Sequence, residues 1–298
     1  MTGATATRRV FKSDFRIGKF QIVGPLGTGA NSTILQVRRS EDSKTYALKV
    51  VPLEEPEDVK FLAQAEHELR VGQMLEHPNL LKFYALEKVK DWLFRVKKAH
   101  LLSEYVNGGT LDTCPRLTMP RLAQVFKMIA DGMVHMHRRQ VCHGDLKPGN
   151  ILLSKTGQVK IIDFGLARIK GEPVDRIQGT PEYMAPEQVK HSMINERTDI
   201  YNFGATMYRL VSWKLPQSVV SDEDGGLPLD AKTWARAYKP VEEVNPRTPP
   251  ALAALINRCL DFDANKRPER MSEIQNTLDH LCDDLVKKDD DRLEAMEW

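Results

Sequence analysis

His143-Gly-Asp-Leu-Lys-Pro-Gly-Asn150 is followed, at strand-and-loop spacing, by Ile161-Ile-Asp-Phe-Gly165. Within eight residues the first run gathers an imidazole, a carboxylate, an ammonium group and a carboxamide. The second adds a carboxylate at the end of an apolar strand. Oxygen donors of this kind suit a hard divalent cation, and a lysine among them suits an anionic substrate. Two such runs in one chain are the strongest chemical signal in the sequence, and the rest is read outward from them.

Upstream, Met119 to Arg139 is amphipathic, with Leu122, Val125, Phe126, Ile129, Met133 and Met136 recurring at three and four residues, which predicts a helix. Before Asn107-Gly108-Gly109 the character is different. Phe20–Val23, Ser32–Val37, Thr45–Val51, Leu80–Tyr84 and His100–Leu102 read as short strands. One helix interrupts them, over about Asp58 to Glu76, with Phe61, Leu62, Ala65, Leu69 and Leu75 at near-helical spacing before His77-Pro78-Asn79. The two glycines mark the expected boundary between a β-rich part and a helical part. Downstream, Pro216 to Pro250 reads as a long surface connection. Ser272 to Leu285 reads as a helix, and the charge run Lys287 to Asp291 as a solvated tail.

Composition excludes several classes. The 298 residues are 41% hydrophobic and 28% charged, which is neither low-complexity nor wholly disordered. With 43 basic and 41 acidic residues and no long basic run, a nucleic-acid partner has little electrostatic basis. No apolar run is long enough for a membrane span. Cys114, Cys142, Cys259 and Cys282 are scattered without metal-ligand spacing, which fits reduced thiols in a cytoplasmic protein.

Two further features sit in the β-rich part. Leu26-Gly27-Thr28-Gly29-Ala30-Asn31-Ser32-Thr33-Ile34 is a glycine-rich turn between strands, where backbone N–H groups could approach phosphate oxygens. Taken alone it is more often a turn former. Ala47-Leu48-Lys49 places a lysine inside an apolar strand, where it needs a counter-charge; Glu68, ten residues before Pro78, is favoured over Glu66.

At the catalytic-loop run and the Asp-Phe-Gly run, the chain resembles a eukaryotic-type serine/threonine protein kinase. Six specified positions match in the first run, for which chance gives on the order of 10⁻⁸ per start position, so coincidence is excluded. The resemblance continues through Gly179-Thr-Pro-Glu-Tyr-Met-Ala-Pro-Glu187, Asp199 with Gly204, and Asn265-Lys-Arg-Pro268. It covers roughly Phe20 to Leu285.

The resemblance implies an α+β, bilobal protein-kinase-like fold: a small β-rich N-lobe with one main helix over 18–103, a hinge over 104–109, and a larger, mostly helical C-lobe over 110–285. Residues 1–17 and 286–298 are then tails. It implies ATP and Mg²⁺ as cofactors and proteins as substrates. Asp145 becomes the base that accepts and orients the substrate hydroxyl, Lys147 neutralises the γ-phosphoryl group, and Asn150 and Asp163 bind magnesium. Leu26, Gly27, Thr28, Gly29, Ala30, Asn31, Ser32, Ile34, Ala47, Lys49 and Glu68 become the nucleotide-binding set, with Ser103 as gatekeeper and backbone groups of Glu104 and Val106 toward adenine. Thr180 faces substrate, Glu187 and Arg267 form an ion pair, and Asp199 braces the catalytic loop. The lack of appended domains resembles stand-alone bacterial members. The rival expectation is a protein that keeps the fold without transfer chemistry; retention of Lys49, Glu68, Asp145, Asn150 and Asp163 argues against it.

Three positions depart from the family pattern. Ser32 replaces the third glycine, Tyr201 replaces a tryptophan, and Gly144 replaces the arginine before the catalytic aspartate. That arginine pairs with a phosphorylated activation-loop residue in the family. From Leu166 to Gly179 there is no Ser, Thr or Tyr. Both halves of the switch are missing, so activity is expected not to depend on activation-loop phosphorylation.

Overall fold

The computed structural model describes residues 16–29, 31–172, 179–190, 194–220 and 229–294, with side chains described to 285. The chain forms two compact units. One is built from residues up to Leu69 with Lys82–Val106, the other from Arg70–Leu81 with the residues from Asn107 onward.

The first unit is a six-stranded antiparallel sheet: β1 (Arg16–Ile17), β2 (Phe20–Gly29), β3 (Ser32–Arg39), β4 (Thr45–Pro52), β5 (Phe83–Lys90) and β6 (Val96–Glu104), in the order β1-β2-β3-β4-β6-β5. Alternation along β4 sorts its side chains. Tyr46 and Leu48 pack with Ile22, Leu35 and Val37 on one face. Val51 packs with Leu53, Ala65 and Ala99 on the other, where α1 (Val59–Met74) lies. Lys49 belongs to the α1 face by the same alternation.

The second unit is mainly helical. Its helices are α2 (Met119–Arg138), α3 (Pro186–Val189), α4 (Glu196–Ser212), α5 (Ala231–Ala237), α6 (Val241–Val244), α7 (Pro250–Cys259) and α8 (Met271–Glu294). The apolar stripe read on α2 is buried, and Phe126 meets Phe203 of α4 edge to face at 6.2 Å. Short strand β7 (Gly108–Thr110) precedes α2, and β8 (Val141–Cys142), β9 (Ile151–Ser154), β10 (Val159–Ile161) and β11 (Arg168–Ile169) carry the loops between α2 and α3. They pair as β10-β9-β7 and β11-β8. Among the described residues no helix is long and apolar enough to cross a membrane, and all four cysteines are free thiols.

Several sequence expectations are corrected. The strand expected at Leu80–Tyr84 starts at Phe83 and runs to Lys90, because Leu80 and Leu81 are buried in the other unit, where the Leu81 N–H donates to Ile161 O at 2.9 Å. Gly108 and Gly109 pair with β9, and the two units divide between Val106 and Asn107. Pro216–Pro250 is more than a surface connection. It carries α5 and α6 and buries Val219, Trp234 and Val241; Trp234 stacks on Tyr238 at 4.7 Å and donates its indole N–H to Gln217 O at 3.1 Å. Finally, α8 runs through the charge run 287–291, where neither Gly nor Pro interrupts it.

Candidate active site

In the first unit, strand register assembles the predicted nucleotide-binding residues. Gly27 lies opposite Ile34, Ile34 opposite Lys49, and Ala47 opposite Ser103. Cross-strand partners share a face, and residues two apart on one strand share a face, so Ile34, Ala47, Lys49 and Ser103 line one side of the sheet. Lys49 Nζ donates to Glu68 Oε2 at 2.7 Å, while Glu66 pairs with Lys88. Glu68 is buried, which makes this a shielded ion pair with stronger attraction than a surface one.

Leu26, Gly27, Thr28 and Gly29 end β2, Asn31 begins the following turn, and Ser32 opens β3; Ala30 lies outside the described residues. A Cβ built at Gly27 meets no atom within 4 Å, so packing of the chain does not call for a glycine there. Asn31 Nδ2 donates to Asp58 Oδ1 at 3.3 Å. Asp58 also accepts from the Glu54 and Glu55 amides at 3.0 Å each, and these backbone donors, Glu55 foremost, hold its carboxyl below the usual range. Ser103 is buried at the end of β6. The Glu104 side chain accepts from Lys82 N at 2.8 Å, and Val106 follows the strand half-buried.

In the second unit, the catalytic-loop run is fixed from several directions. Asp199 of α4 is fully buried and accepts from the backbone N–H groups of His143 at 2.9 Å and Gly144 at 2.8 Å, and from His137 Nε2 at 2.8 Å. His143 Nδ1 accepts from the Asp145 N–H at 3.3 Å. That leaves the ring proton on Nε2, which donates to Ile162 O at 3.1 Å. His143 is therefore a clamp between the two motif runs. Gly144 has φ +76°, a conformation that costs side-chain-bearing residues, and its carbonyl accepts from Gln188 Nε2 at 2.8 Å.

This frame presents the Asp145 carboxylate. Oδ1 accepts from the Thr180 N–H at 2.8 Å, and Oδ2 lies 3.0 Å from Lys147 Nζ and accepts from Asn150 Nδ2 at 3.2 Å. Lys147 Nζ also donates to Thr180 Oγ1. Asn150 Nδ2 makes a second bond to Asp145 O at 2.8 Å, which fixes the amide orientation and leaves Oδ1 as its acceptor. Asp163 sits in the left-handed region at φ +64° with its carboxylate accepting from the Gly165 N–H. Asp163 and Asn150 are hard oxygen donors, a set that fits Mg²⁺.

Beside this loop, Glu187 and Arg267 form a two-point ion pair at 2.8 and 3.0 Å. The guanidinium is 2% exposed and spends its five N–H donors on Glu187 and the carbonyls of Asp261, Arg197 and Phe262, over the Tyr201 ring. Tyr201, which stands where the family pattern has tryptophan, is fully buried, and burial pushes its phenol well up. Sequence reasoning missed Gln188, His137, Asn202 and Asp58. Each acts through hydrogen bonds to residues distant in the chain or through a turn, and no local spacing marks it.

A family model for the protein kinase domain matches residues 20–281. The chain belongs to the protein kinase family. It is similar to the serine/threonine-protein kinase pkn2 of Myxococcus xanthus, at 29% identity over 279 residues, covering 88% of this chain and 32% of that protein. It is also similar to Aurora kinase C of Mus musculus, at 28% over 278 residues, covering 90% and 92%. With the MAP kinase kinase MKK1/SSP32 of Saccharomyces cerevisiae it shares 26% over 266 residues, covering 84% and 51%. The chain thus spans about a third to a half of the length of the Myxococcus and yeast relatives.

Proposed function

We propose that this chain is a serine/threonine protein kinase that transfers the γ-phosphoryl group of Mg-ATP to protein hydroxyls without prior phosphorylation of its activation loop. The observation that carries the transfer reading is the Asp145 carboxylate, held by the Thr180 amide and Asn150 with Lys147 3.0 Å away. Held so, Asp145 orients the acceptor hydroxyl and takes its proton, and Lys147 offsets charge on the transferring group. Magnesium, held by Asn150 and Asp163, supplies charge neutralisation of the phosphate oxygens. Lys49, aimed by Glu68, binds the nucleotide phosphates, and Gly27 leaves their approach to the backbone unobstructed. The backbone of Glu104 and Val106 binds adenine, with the small Ser103 beside it. The contact of Lys147 with Thr180 supports serine and threonine as acceptors.

Independence from loop phosphorylation is supported by what replaces the switch. Gly144 carries no cation, and its backbone is already held by Asp199 and Gln188. Glu172, in the segment after Asp163, forms a two-point ion pair with Arg70 at 2.8 and 3.1 Å, which ties this segment to Arg70 without a phosphate.

Incubation with Mg-ATP and a generic basic acceptor protein, before and after phosphatase treatment of the enzyme, tests both parts. Phosphoserine or phosphothreonine on the acceptor is expected, at an undiminished rate after phosphatase. No transfer while ATP still raises the melting temperature would replace the transfer reading with nucleotide binding alone. Loss of most activity after phosphatase would remove the second part only.

A further inference from the structure

The five-residue connection between β5 and β6 is Asp91-Trp92-Leu93-Phe94-Arg95. It is tightly built. Asp91 Oδ1 accepts from the N–H groups of Leu93 and Arg95 at 2.9 Å each, and the Asp91 N–H donates to Arg95 O at 2.9 Å. The Phe94 N–H donates to Asp91 O at 3.0 Å. The product of this organisation is an apolar tip. Trp92 is 84% exposed, Phe94 81% and Leu93 46%, three consecutive large apolar side chains turned to solvent. Phe94 holds φ +61°, a conformation that a bulky residue adopts only at a cost and that Asn or Gly would adopt freely. A turn needing only to join two strands would not place an exposed phenylalanine there.

The strands behind the tip are basic. Lys88, Lys90, Arg95, Lys97 and Lys98 are all exposed. Of the two carboxylates among them, Asp91 is engaged by the turn amides and Glu87 is exposed; Lys88 pairs with Glu66, which leaves Lys90, Arg95, Lys97 and Lys98 in excess. Tryptophan and phenylalanine at the end of a cationic ribbon match the layering of an anionic bilayer surface. Aromatic rings enter the headgroup boundary while lysine and arginine meet lipid phosphates and carboxylates. A protein partner fits less well, because a five-residue convex tip covers far less area than a stable protein interface buries.

We infer that the β5–β6 hairpin is a membrane-surface anchor: Trp92, Leu93 and Phe94 insert at the interface of an anionic bilayer, and Lys90, Arg95, Lys97 and Lys98 bind its headgroups. This brings the chain to a lipid surface without spanning it, and it stands apart from the phosphotransfer reading.

Co-sedimentation of the full chain with phosphatidylcholine vesicles, with and without phosphatidylserine, tests it. Binding to the phosphatidylserine vesicles alone is expected, weakening as salt is raised. A Trp92→Ser/Phe94→Ser double variant should lose about tenfold in partitioning, as should Lys90→Glu/Lys98→Glu, with unchanged melting temperature and phosphotransfer. The inference is overturned if the natural chain stays in the supernatant, or if the Trp92→Ser/Phe94→Ser variant sediments as well as the natural chain. Binding to polyglutamate that the Trp92→Ser/Phe94→Ser variant loses, with no vesicle binding, would make the hairpin a site for an acidic protein instead.

Discussion

The catalytic loop from His143 to Asn150 and the glycine-rich hairpin from Leu26 to Ile34 are both short motif runs read from the sequence, yet they are held in opposite ways. In the loop, the amides of His143, Gly144 and Asp145, the carbonyls of Gly144 and Asp145, and the Asp145 carboxylate all have partners, most of them buried. In the hairpin, the strand ladder does the holding. Its register shifts twice, between Ile22 and Gly24 and between Pro25 and Gly27, and Leu26 is 44% exposed. A carboxylate that must meet a hydroxyl within a fraction of an ångström needs a frame that resists displacement. A strand turn in the phosphate-covering role proposed for it needs backbone donors and room. The loop should therefore fail through loss of structure when its frame is damaged, and the hairpin through loss of nucleotide affinity with structure retained.

The largest expected effect tests the frame. Arg267→Met leaves the Glu187 carboxylate without its partner and should lower unfolding stability by about 3–5 kcal/mol in urea titrations. Next in size, Lys49→Met removes the cation proposed to meet the nucleotide phosphates and should cut the transfer rate by about 10²–10³-fold in a phosphorylation assay.

Glycine substitutions sharpen the contrast. Gly144→Ala puts a Cβ at φ +76° and 3.1 Å from Leu166 O, and should cost about 1–2 kcal/mol of stability. Gly27→Ala meets nothing within 4 Å, and should leave the melting temperature unchanged while raising the KM for ATP. Equal destabilisation by the two would break the comparison.

The smallest effect is a pH dependence shared by both units. Burial lowers the pKa of His100 in the first unit and of His77 and His135 in the second below 6.5. The unfolded chain then binds more protons than the folded one as pH falls through 6.5, so this stability is present above that value and lost below it. The melting temperature should drop between pH 7.5 and 5.5, and His100→Gln should flatten part of the slope.

The parts of the fold that were legible in the sequence are those whose determinants are local. The α2 stripe, the Lys49 strand and the catalytic-loop run are periodic or contiguous, and each lies where its spacing indicated. The Lys49–Glu68 pairing was legible only because a count from Pro78 discriminated against Glu66. The obscure parts depend on distant partners. The start of β5 at Phe83 is decided by Leu80 and Leu81 being drawn to Ile161, and α5 by Trp234 finding Tyr238 and the Gln217 carbonyl. Gln188 is read as one polar residue beside Glu187 until its bonds to Gly144 O, Ala185 N and Asn202 come together.

The central claim is that Asp145 performs transfer while nucleotide binding is supplied elsewhere, and Asp145→Asn separates the two. With Mg-ATP and an acceptor protein, phosphate incorporation by this variant should fall by about 10³-fold or more while its affinity for ATP stays within a few-fold of the natural chain. Undiminished phosphate incorporation by Asp145→Asn would contradict the account.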